Sequence, residues 1–341
     1  MSNMSRRNFV KMAGAAIAGV SLTGLSGFVS GCGAKAADTK NPVSGANNAP
    51  VQPSDKAKVY FTKHIDAEHL QKLYEKVNSE ISGKIAIKLH TGEPHGPNIL
   101  PRDMVQAFQS HVPNSTIIEA NVAYGGPRST TQQHRETLQT NGWTFCPVDI
   151  IDEDGDVNFL VKNGLHLKEV AVGGHLANYD SLVVLTHFKG HAMGGFGGSL
   201  KNIAIGCASG KKGKLQVHGV QDYGKWVMGG LFMELMADSG KAICDHFGKN
   251  ITFLNVMRRM SVDCDCAGTS AAEPVIPDIG ILASTDILAI DQASIDLVYN
   301  FKDSRKNDLI ERIESREGLR QLSAMKELGM GNDQYELIEV E

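Results

Sequence analysis

Two histidines and two lysines follow a strongly apolar segment of the chain. Residues 182–185 predict a buried strand, and His187, Lys189 and His191 come directly after it. His187 and His191 have the H-x3-H spacing of many metal-ligand pairs, while Lys189 and Lys201 offer cations for binding an anionic substrate or for catalysis. A turn in which one histidine bonds to the backbone explains the same pattern, so both interpretations stay open.

The same segment continues into a glycine-rich loop. Gly195, Gly197 and Gly198 let backbone N–H groups approach a ligand closely, and residues 199–205 predict a helix whose N-terminus favours an anion. The spacing completes neither a Walker loop nor a dinucleotide fingerprint. We therefore expect this loop to bind part of an anionic substrate.

Cys264 and Cys266 form a Cys-x-Cys pair. In an extended chain their thiols share one face with α-carbons about 6.6–6.8 Å apart, which suits a soft metal or an iron–sulfur centre better than a mutual disulfide. Either cysteine could instead pair with another one such as Cys207, a weaker candidate ligand, or remain a free thiol. No Cys-x2-Cys occurs, so the spacing gives no support to a ferredoxin-type cluster.

Two further groups of polar residues follow predicted strands. Lys88 ends an apolar run and is followed by His90, Glu93 and His95, which are weaker candidates for a metal site. Arg128 lies in a turn before a helix and is suited to binding an anionic substrate, as is Lys88. Each group alone is more typical of a polar loop than of a site, but their shared place at strand ends favours a site.

Apolar runs alternate with amphipathic segments from residue 56 onward. Strands are predicted at residues 58–61, 85–89, 116–119, 148–151, 182–186, 252–256 and 335–340, and helices at 66–82, 101–111, 129–141, 222–247 and 286–300. This order predicts an α/β fold with a mostly parallel sheet flanked by helices, as one large or two interwoven units. Asp291 lies in an apolar helical pattern, where a carboxylate is costly unless paired, and is a candidate catalytic residue.

The first 32 residues predict an export signal. Arg6 and Arg7 precede a Gly- and Ala-rich apolar stretch, as in twin-arginine signals, and the stretch ends at Cys32 in a sequence resembling a lipobox. An uncleaved anchor with a coincidental cysteine is the alternative. Residues 33–55 predict a flexible tether and residues 56–341 the folded domain. We expect an extracytoplasmic protein, in the periplasm or at the cell surface, attached to the membrane through lipidated Cys32.

The composition excludes several classes of protein. The chain has 341 residues, of which 42% are apolar, so it can build a core and is not disordered. With 34 basic and 38 acidic side chains the net charge is −4, which argues against broad electrostatic binding of nucleic acid. Beyond the N-terminal stretch, no segment is apolar enough to span a bilayer.

Taken together in order, these motifs resemble the family catalogued as domain of unknown function 362. The similarity extends from about residue 57 to 300 and includes residues 88–93, 124–129, 187–191, 195–202, 206–209, 213–215, 264–266, 277–280 and 291–296. It implies a shared α/β core and a shared polar site, to which Asn202 contributes as a substrate-binding candidate. Many members carry a ferredoxin-like insert after the segment matching residues 214–218, but here the chain runs from His218 straight into a helix.

Two functions agree with this pattern. The first is an exported metal- or iron–sulfur-dependent enzyme, redox-active and acting on an anionic small molecule, with a redox partner in the membrane. In it Cys264, Cys266, His187 and His191 bind a transition metal or cluster. The alternative is a surface-tethered lipoprotein that binds an anionic small molecule without catalysis, using the glycine-rich loop and the lysines.

Overall fold

The structure, a computed structural model, describes residues 56–341. Its strands are β1 (Ala57–Thr62), β2 (Ile85–Lys88), β3 (Ser115–Glu119), β4 (Val148–Ile150), β5 (Asp156–Leu160), β6 (Glu169–Gly173), β7 (Ser181–His187), β8 (Lys189–His191), β9 (Gly195–Gly197), β10 (Ile251–Met257), β11 (Gly280–Ser284) and β12 (Tyr335–Glu339). All seven predicted strands are confirmed, and β5, β6, β8, β9 and β11 are additional.

Eight of these strands form one sheet in the order β12-β1-β11-β10-β7-β2-β3-β4. Neighbouring strands pair in parallel except that β11 is antiparallel to both β1 and β10. The predicted α/β class with a mostly parallel sheet is therefore confirmed. From β2 the chain moves outward through β3 to β4, and it then returns to β7 on the other side of β2 and continues to β10. The boundary between the neighbouring strands β2 and β7 is thus a topological switch point. Ligands commonly bind at such a point in folds of this kind.

Helices cover both faces of the sheet. They are α1 (Ala67–Tyr74), α2 (Arg102–His111), α3 (Thr131–Thr140), α4 (Ser199–Gly206), α5 (Gly213–Val217), α6 (Val220–Tyr223), α7 (Gly230–Phe247), α8 (Ile287–Asn300), α9 (Asn307–Ser315) and α10 (Arg320–Glu327), with short 3-10 helices at Gly174–Asn178, Asp265–Ser270 and Ser304–Lys306. The strand β7 is buried on both faces, with alternate residues in different cores. Leu182 and Val184 pack in the core with α4, α7 and α8, whereas Val183 and Leu185 pack in the core with α1 and α2.

Two helices are shorter than predicted. The helix expected over residues 66–82 ends at Tyr74, after which the chain forms turns, including a bond from Ile81 N to Asn78 O. The helix expected over 222–247 begins at Gly230, because Gly224 and Gly229 have positive φ angles of 66° and 63° and interrupt it.

The predicted export signal, Cys32 and the tether over residues 33–55 lie outside the described residues. Among the described helices, none combines the length and the apolar character needed to cross a bilayer.

Candidate functional site

The carboxyl ends of β2 and β7 are joined by Asn202, which lies on α4. Its Nδ2 donates to Lys88 O at 3.3 Å, to Leu185 O at 3.2 Å and to Thr186 Oγ1 at 3.0 Å. Its Oδ1 accepts from Lys88 Nζ at 3.2 Å. Lys88 and Asn202, both predicted to bind substrate, thus form the base of a site at the switch point and bond to each other.

Glu119, at the end of β3, is the buried carboxylate at the centre of this site. It accepts hydrogen bonds from Lys88 Nζ at 2.9 Å, from Thr91 N at 2.9 Å and from Thr91 Oγ1 at 3.1 Å, and Arg128 lies 3.7 Å away. Burial raises the pKa of Glu119, but Lys88 and His90 outweigh it and hold this pKa well below the ordinary value. Glu119 therefore stays ionised.

His90 connects Glu119 to Cys266. Its Nδ1 lies 3.2 Å from Glu119 Oε1, and because an ionised carboxylate only accepts, Nδ1 carries the hydrogen. Its Nε2 lies 3.4 Å from Cys266 Sγ. A thiol, an imidazole and a carboxylate that contact one another in this order form the arrangement that activates a cysteine nucleophile.

The two thiols of the Cys-x-Cys pair differ in their electrostatic environment. The neighbouring Cys264 thiol lowers the pKa of Cys266 well below its usual range, against the effect of burial, and His90 and Lys201 lower it further. Cys266 in turn raises the pKa of Cys264 well above its usual range, although Cys264 Sγ accepts a hydrogen bond from Cys266 N at 3.2 Å. Although burial alone lowers the pKa of His90, the charge of Cys266 raises it. These pKa directions, together with the 3.4 Å contact between His90 Nε2 and Cys266 Sγ, favour a Cys266 thiolate beside a protonated His90.

The site holds more cations than carboxylates. Glu119 and Glu93 pair with Lys88 and Arg128, and Asp265 lies 3.2 Å from Lys189 Nζ. No carboxylate within residues 56–341 lies within 4.0 Å of the Lys201 or Lys214 ammonium. The cations are Lys88, Arg128, Lys189, Lys201 and Lys214.

These last two lysines differ in their surroundings. Lys214 is buried and donates to Ala208 O at 2.7 Å, and burial lowers its pKa to about 8 although Asp152 and Glu119 raise it. Lys201 is half-buried, and its charge acts on Cys264 and Cys266. Within the described part of the chain its ammonium has no hydrogen-bond acceptor, which leaves it available to an anion.

Glu93 and Arg128 form a second polar group beside the thiols. Glu93 Oε1 accepts from Arg128 Nε at 2.9 Å, from Arg128 Nη2 at 2.8 Å and from the Tyr124 hydroxyl at 2.9 Å. Its other oxygen, Oε2, is buried without a hydrogen-bond partner among residues 56–341. Burying such an acceptor is costly, so Oε2 is suited to a donor on a ligand.

Two more histidines, His191 and His218, have pKa values that burial lowers and the charge of Cys266 raises, but they present opposite hydrogen-bonding groups. His191 Nδ1 accepts from Gly194 N at 2.8 Å, so in the neutral ring the hydrogen is on Nε2. His218 Nδ1 donates to Lys214 O at 2.7 Å, so its Nε2 holds a lone pair. Burial lowers the pKa of His218 to about 4 and that of His191 well below its ordinary value. Near neutral pH, His191 is a hydrogen-bond donor and His218 an acceptor or metal ligand.

His187 and Lys189 support the loop that carries the thiols. His187 Nδ1 lies 2.9 Å from Asp265 Oδ2 and its Nε2 lies 2.7 Å from Arg258 O, so oxygen atoms face both ring nitrogens. Lys189 Nζ donates to His187 O at 2.6 Å. Although burial raises the pKa of Asp265, His187 and Lys189 hold it below the ordinary value. The segment around residue 187 thus contacts the loop that carries the thiols. It does so through the Asp265 carboxylate, which His187 and Lys189 hold in position.

The glycine-rich loop and Asp291 bond to each other. Asp291 Oδ1 accepts from Ser199 N at 2.8 Å and Oδ2 from Leu200 N at 2.9 Å, so its carboxylate caps the N-terminus of α4 where an anionic ligand was expected. A Cβ atom on Gly198 would lie 2.4 Å from Asp291 Oδ1.

The other two glycines of this loop contact protein groups as well. Gly195 has a φ of 74° and packs against Gly318, and a Cβ atom on Gly197 would lie 3.5 Å from Lys201 Cδ. Burial raises the pKa of Asp291 to about 6. The space around the three glycines is thus filled by other groups of the chain, namely Asp291, Gly318 and Lys201.

His95 and Cys207 form no hydrogen bond with the Cys266 thiol in the described part of the chain. His95 is exposed, with its backbone N donating to Asn141 Oδ1 at 2.8 Å. Cys207 is fully buried, which raises its pKa to about 12, and the charges acting on it come from Lys88, Lys214 and Glu119.

The donor set can be compared with a metal centre. Within residues 56–341, groups of three or more His, Cys, Asp or Glu ligand atoms lying within 4.8 Å of one another occur at His64, Asp66 and His69 and at Asp149, Glu153 and His175, both away from the thiols. Cys264, Cys266 and His90 supply soft donors but lack that spacing. An iron–sulfur cluster normally uses four cysteines, and two are present here, so these residues do not fit one.

Sequence reasoning missed four site residues. The missed residues are Glu119, which ends a predicted strand, and Tyr124, Lys214 and His218, which lie in segments that the sequence analysis named only for the family resemblance. The one signal that could have identified Glu119 is its position at the carboxyl end of a parallel strand, beside the segment containing Lys88.

Comparisons with known proteins agree with the family resemblance. A model of the family described as a domain of unknown function (DUF362) matches residues 85–296, more than half of the chain. The chain belongs to this family, and the class of its fold is the α/β arrangement described above.

Solved structures give weaker similarities, and no curated protein matches the sequence. The lactate racemase apoprotein from Thermoanaerobacterium thermosaccharolyticum aligns with 14% identity and a TM-score of 0.39, covering 71% of this chain and 57% of that one. A protein from Thermotoga maritima aligns with 9% identity and a TM-score of 0.39, covering 78% of this chain and 60% of that one. The chain thus spans less than two thirds of either structure.

Proposed function

We propose that this protein is an exported, membrane-tethered enzyme that acts on an anionic small molecule through the Cys266 thiolate. The observation that carries the proposal is the chain of contacts from Cys266 Sγ to His90 Nε2 at 3.4 Å and from His90 Nδ1 to Glu119 at 3.2 Å. Lys201 supplies the positive charge for the substrate, because its ammonium has no acceptor among residues 56–341.

Each group has one role in the proposed reaction. The Cys266 thiolate attacks an electrophilic carbon, and the leaving group takes the electron pair of its bond to that carbon and a proton from His90 Nε2. Water then attacks the same carbon, gives its proton to His90 and releases the thiolate. Glu119 keeps the imidazole oriented and stabilises its charged form.

A metal-dependent reaction is the second candidate, and the orientation of His90 favours it. His90 Nδ1 donates to the Glu119 carboxylate, and such a hydrogen bond usually supports an imidazole that binds a metal. In a neutral ring, His90 Nε2 then presents a lone pair toward Cys266. Cys264, Cys266 and His90 would then hold a soft transition metal after a small rearrangement. In that case a redox partner in the membrane becomes part of the proposal.

The two candidates are separated by one set of variants. We would measure hydrolysis of carboxylate-bearing esters and thioesters, together with the metal content of natively exported protein. Thiolate catalysis predicts turnover in metal-free protein that is lost in Cys266→Ser and kept in Cys146→Ser, a matched control at a half-buried thiol whose pKa burial raises to about 11. Stoichiometric metal that disappears in Cys264→Ser would support the second candidate. Binding of anions without turnover in metal-loaded and metal-free protein would instead support a surface-tethered binding lipoprotein.

Export and anchoring have their own test. Replacing Arg6 and Arg7 by lysine is expected to keep the protein in the cytoplasm, and Cys32→Ser is expected to release it from the membrane fraction. Fractionation followed by immunoblotting measures both. Unchanged distribution of either variant would contradict that part of the proposal.

A further inference from the structure

The exposed aromatic side chains of the described chain lie in two segments, one containing Tyr124 and the other following His218. Within residues 56–341, the large apolar side chains that are at least 36% exposed include three aromatic ones, Tyr124, Tyr223 and Trp226. Tyr124 reaches the site through its hydrogen bond to Glu93. Tyr223 and Trp226 lie in the segment between His218 and α7.

Trp226 is held against the site by backbone and ring contacts. The Val227 N–H donates to His218 O at 3.0 Å, and the Trp226 ring lies 4.3 Å from the His218 ring. Phe232 stacks against His218 at 5.0 Å, so the imidazole is flanked by two aromatic rings. Trp226 nevertheless keeps 42% of its surface exposed, although indole is costly to leave in water.

The segment is shaped so that this ring stays in place. Gly219 has a φ of 72°, and a Cβ atom there would lie 2.8 Å from the Val227 side chain. The glycine thus permits the turn that brings Trp226 back over His218. An indole fixed in this way offers a planar surface at little entropic cost to a ligand.

Charge beside this surface limits what can bind there. The charge of Lys201 lowers the pKa values of both Cys266 and His218, so its ammonium is within electrostatic range of the thiol and of the imidazole that Trp226 contacts. His218 is neutral near pH 7 because burial lowers its pKa to about 4, and it therefore adds no second charge. One cation next to a planar apolar surface is complementary to an anion that carries a ring.

We infer that the substrate is a planar aromatic anion whose ring stacks on Trp226 and whose charged group is bound by Lys201. This inference rests on the proposed function, because it places the reacting anion at the same thiol site. It adds that Trp226 determines specificity.

Calorimetric titration with three probes tests it. The probes are naphthoate, its saturated counterpart decahydronaphthoate, and the neutral naphthalenemethanol. We expect naphthoate to bind about tenfold more tightly than either of the others, which corresponds to about 1.4 kcal/mol. Trp226→Leu should erase the preference for the aromatic ring, whereas the control Met228→Leu, at another exposed apolar residue of the segment, should keep it.

The variants distinguish failure of this inference from failure of the proposed function. If Lys201→Met weakens both carboxylates while Trp226→Leu changes nothing, the anion site stands and the aromatic inference is wrong. If Lys201→Met leaves naphthoate binding unchanged, the proposed anion site itself is wrong. Absence of naphthoate binding to the wild type would overturn the inference. So would Trp226-dependent binding to anionic phospholipid vesicles with unaltered naphthoate binding, since Trp226 would then contact a membrane.

Discussion

The thiolate state of Cys266 makes a quantitative prediction about its reactivity toward iodoacetamide. An ordinary cysteine with a pKa of about 8.5 is about 3% ionised at about pH 7, and its alkylation rate falls about tenfold for each pH unit below the pKa. The pKa of Cys266 lies well below the usual range. Its alkylation rate should therefore fall much less between about pH 8 and pH 6 than that of an ordinary cysteine.

Three thiols elsewhere in the described chain provide the comparison within the same protein. Burial raises the pKa to about 11 for Cys146 and to about 12 for Cys207 and Cys244, so each is less than about 0.1% ionised at about pH 7. Peptide mapping by mass spectrometry after a short exposure measures all of them together. We expect label on Cys266 at every pH and very little on the other three.

Substitution of His90 tests the cause of this reactivity. His90→Ala removes the imidazole that helps to lower the pKa of Cys266, so the alkylation rate should become dependent on pH in the neutral range. A wild-type rate at Cys266 that falls about tenfold per pH unit from about pH 8 to pH 6 would refute the reasoning, because the thiol would then be unperturbed.

Three further predictions concern the stability of the site. Asp291→Ala removes the cap of α4 and one of the two hydrogen-bond acceptors of the buried Asn255 Nδ2, so it should lower the free energy of unfolding by about 2–4 kcal/mol in denaturant titrations. The neighbouring Gln292→Ala should change it by less than about 0.5 kcal/mol. Glu119→Gln leaves Lys88 without its charged partner and should cost about 3–5 kcal/mol by the same measurement, an effect contradicted by an unchanged denaturation midpoint. Asp265 has a depressed pKa in the folded state, so its contribution to the free energy of unfolding is present above the unfolded pKa of about 3.9 and is lost as the pH falls below it. Acid unfolding should therefore be less steep in Asp265→Asn. Identical acid titrations of the two proteins would argue against the pairing of Asp265 with His187 and Lys189.

The fold was largely predictable because its strands are short, apolar and separated by amphipathic helices. β7 has seven buried residues in succession, a pattern that sequence alone identifies as the centre of a parallel sheet. β11 was missed because Gly280–Ser284 contains few residues typical of strands, and its formation depends on pairing with both β1 and β10.

The site was less predictable, because its contacts join residues that are distant in sequence. His90 and Cys266 are separated by 176 positions, and no spacing rule relates them. The sequence also carries no information about which ring nitrogen holds a hydrogen. His187 and His191 therefore looked equivalent as ligands, whereas their backbone and carboxylate partners give them different roles.

Two lysines near the thiols also differ in ways that the sequence does not show. Lys189 and Lys201 were predicted together as groups for an anion. Lys189 donates to His187 O and pairs with Asp265, while Lys201 has no acceptor within residues 56–341. The difference follows from the path of β8 and from the side on which α4 packs, and both are properties of the tertiary structure.

The proposed chemistry requires an ionised Cys266, and ultraviolet absorbance of the thiolate measures this state directly. The difference spectrum between wild type and Cys266→Ser, recorded at about pH 7 in protein whose metal content has been determined, should contain one thiolate equivalent per chain and should lose it only on acidification. A difference spectrum without thiolate absorbance until the pH exceeds about 8 would show a protonated thiol and would contradict the proposed chemistry.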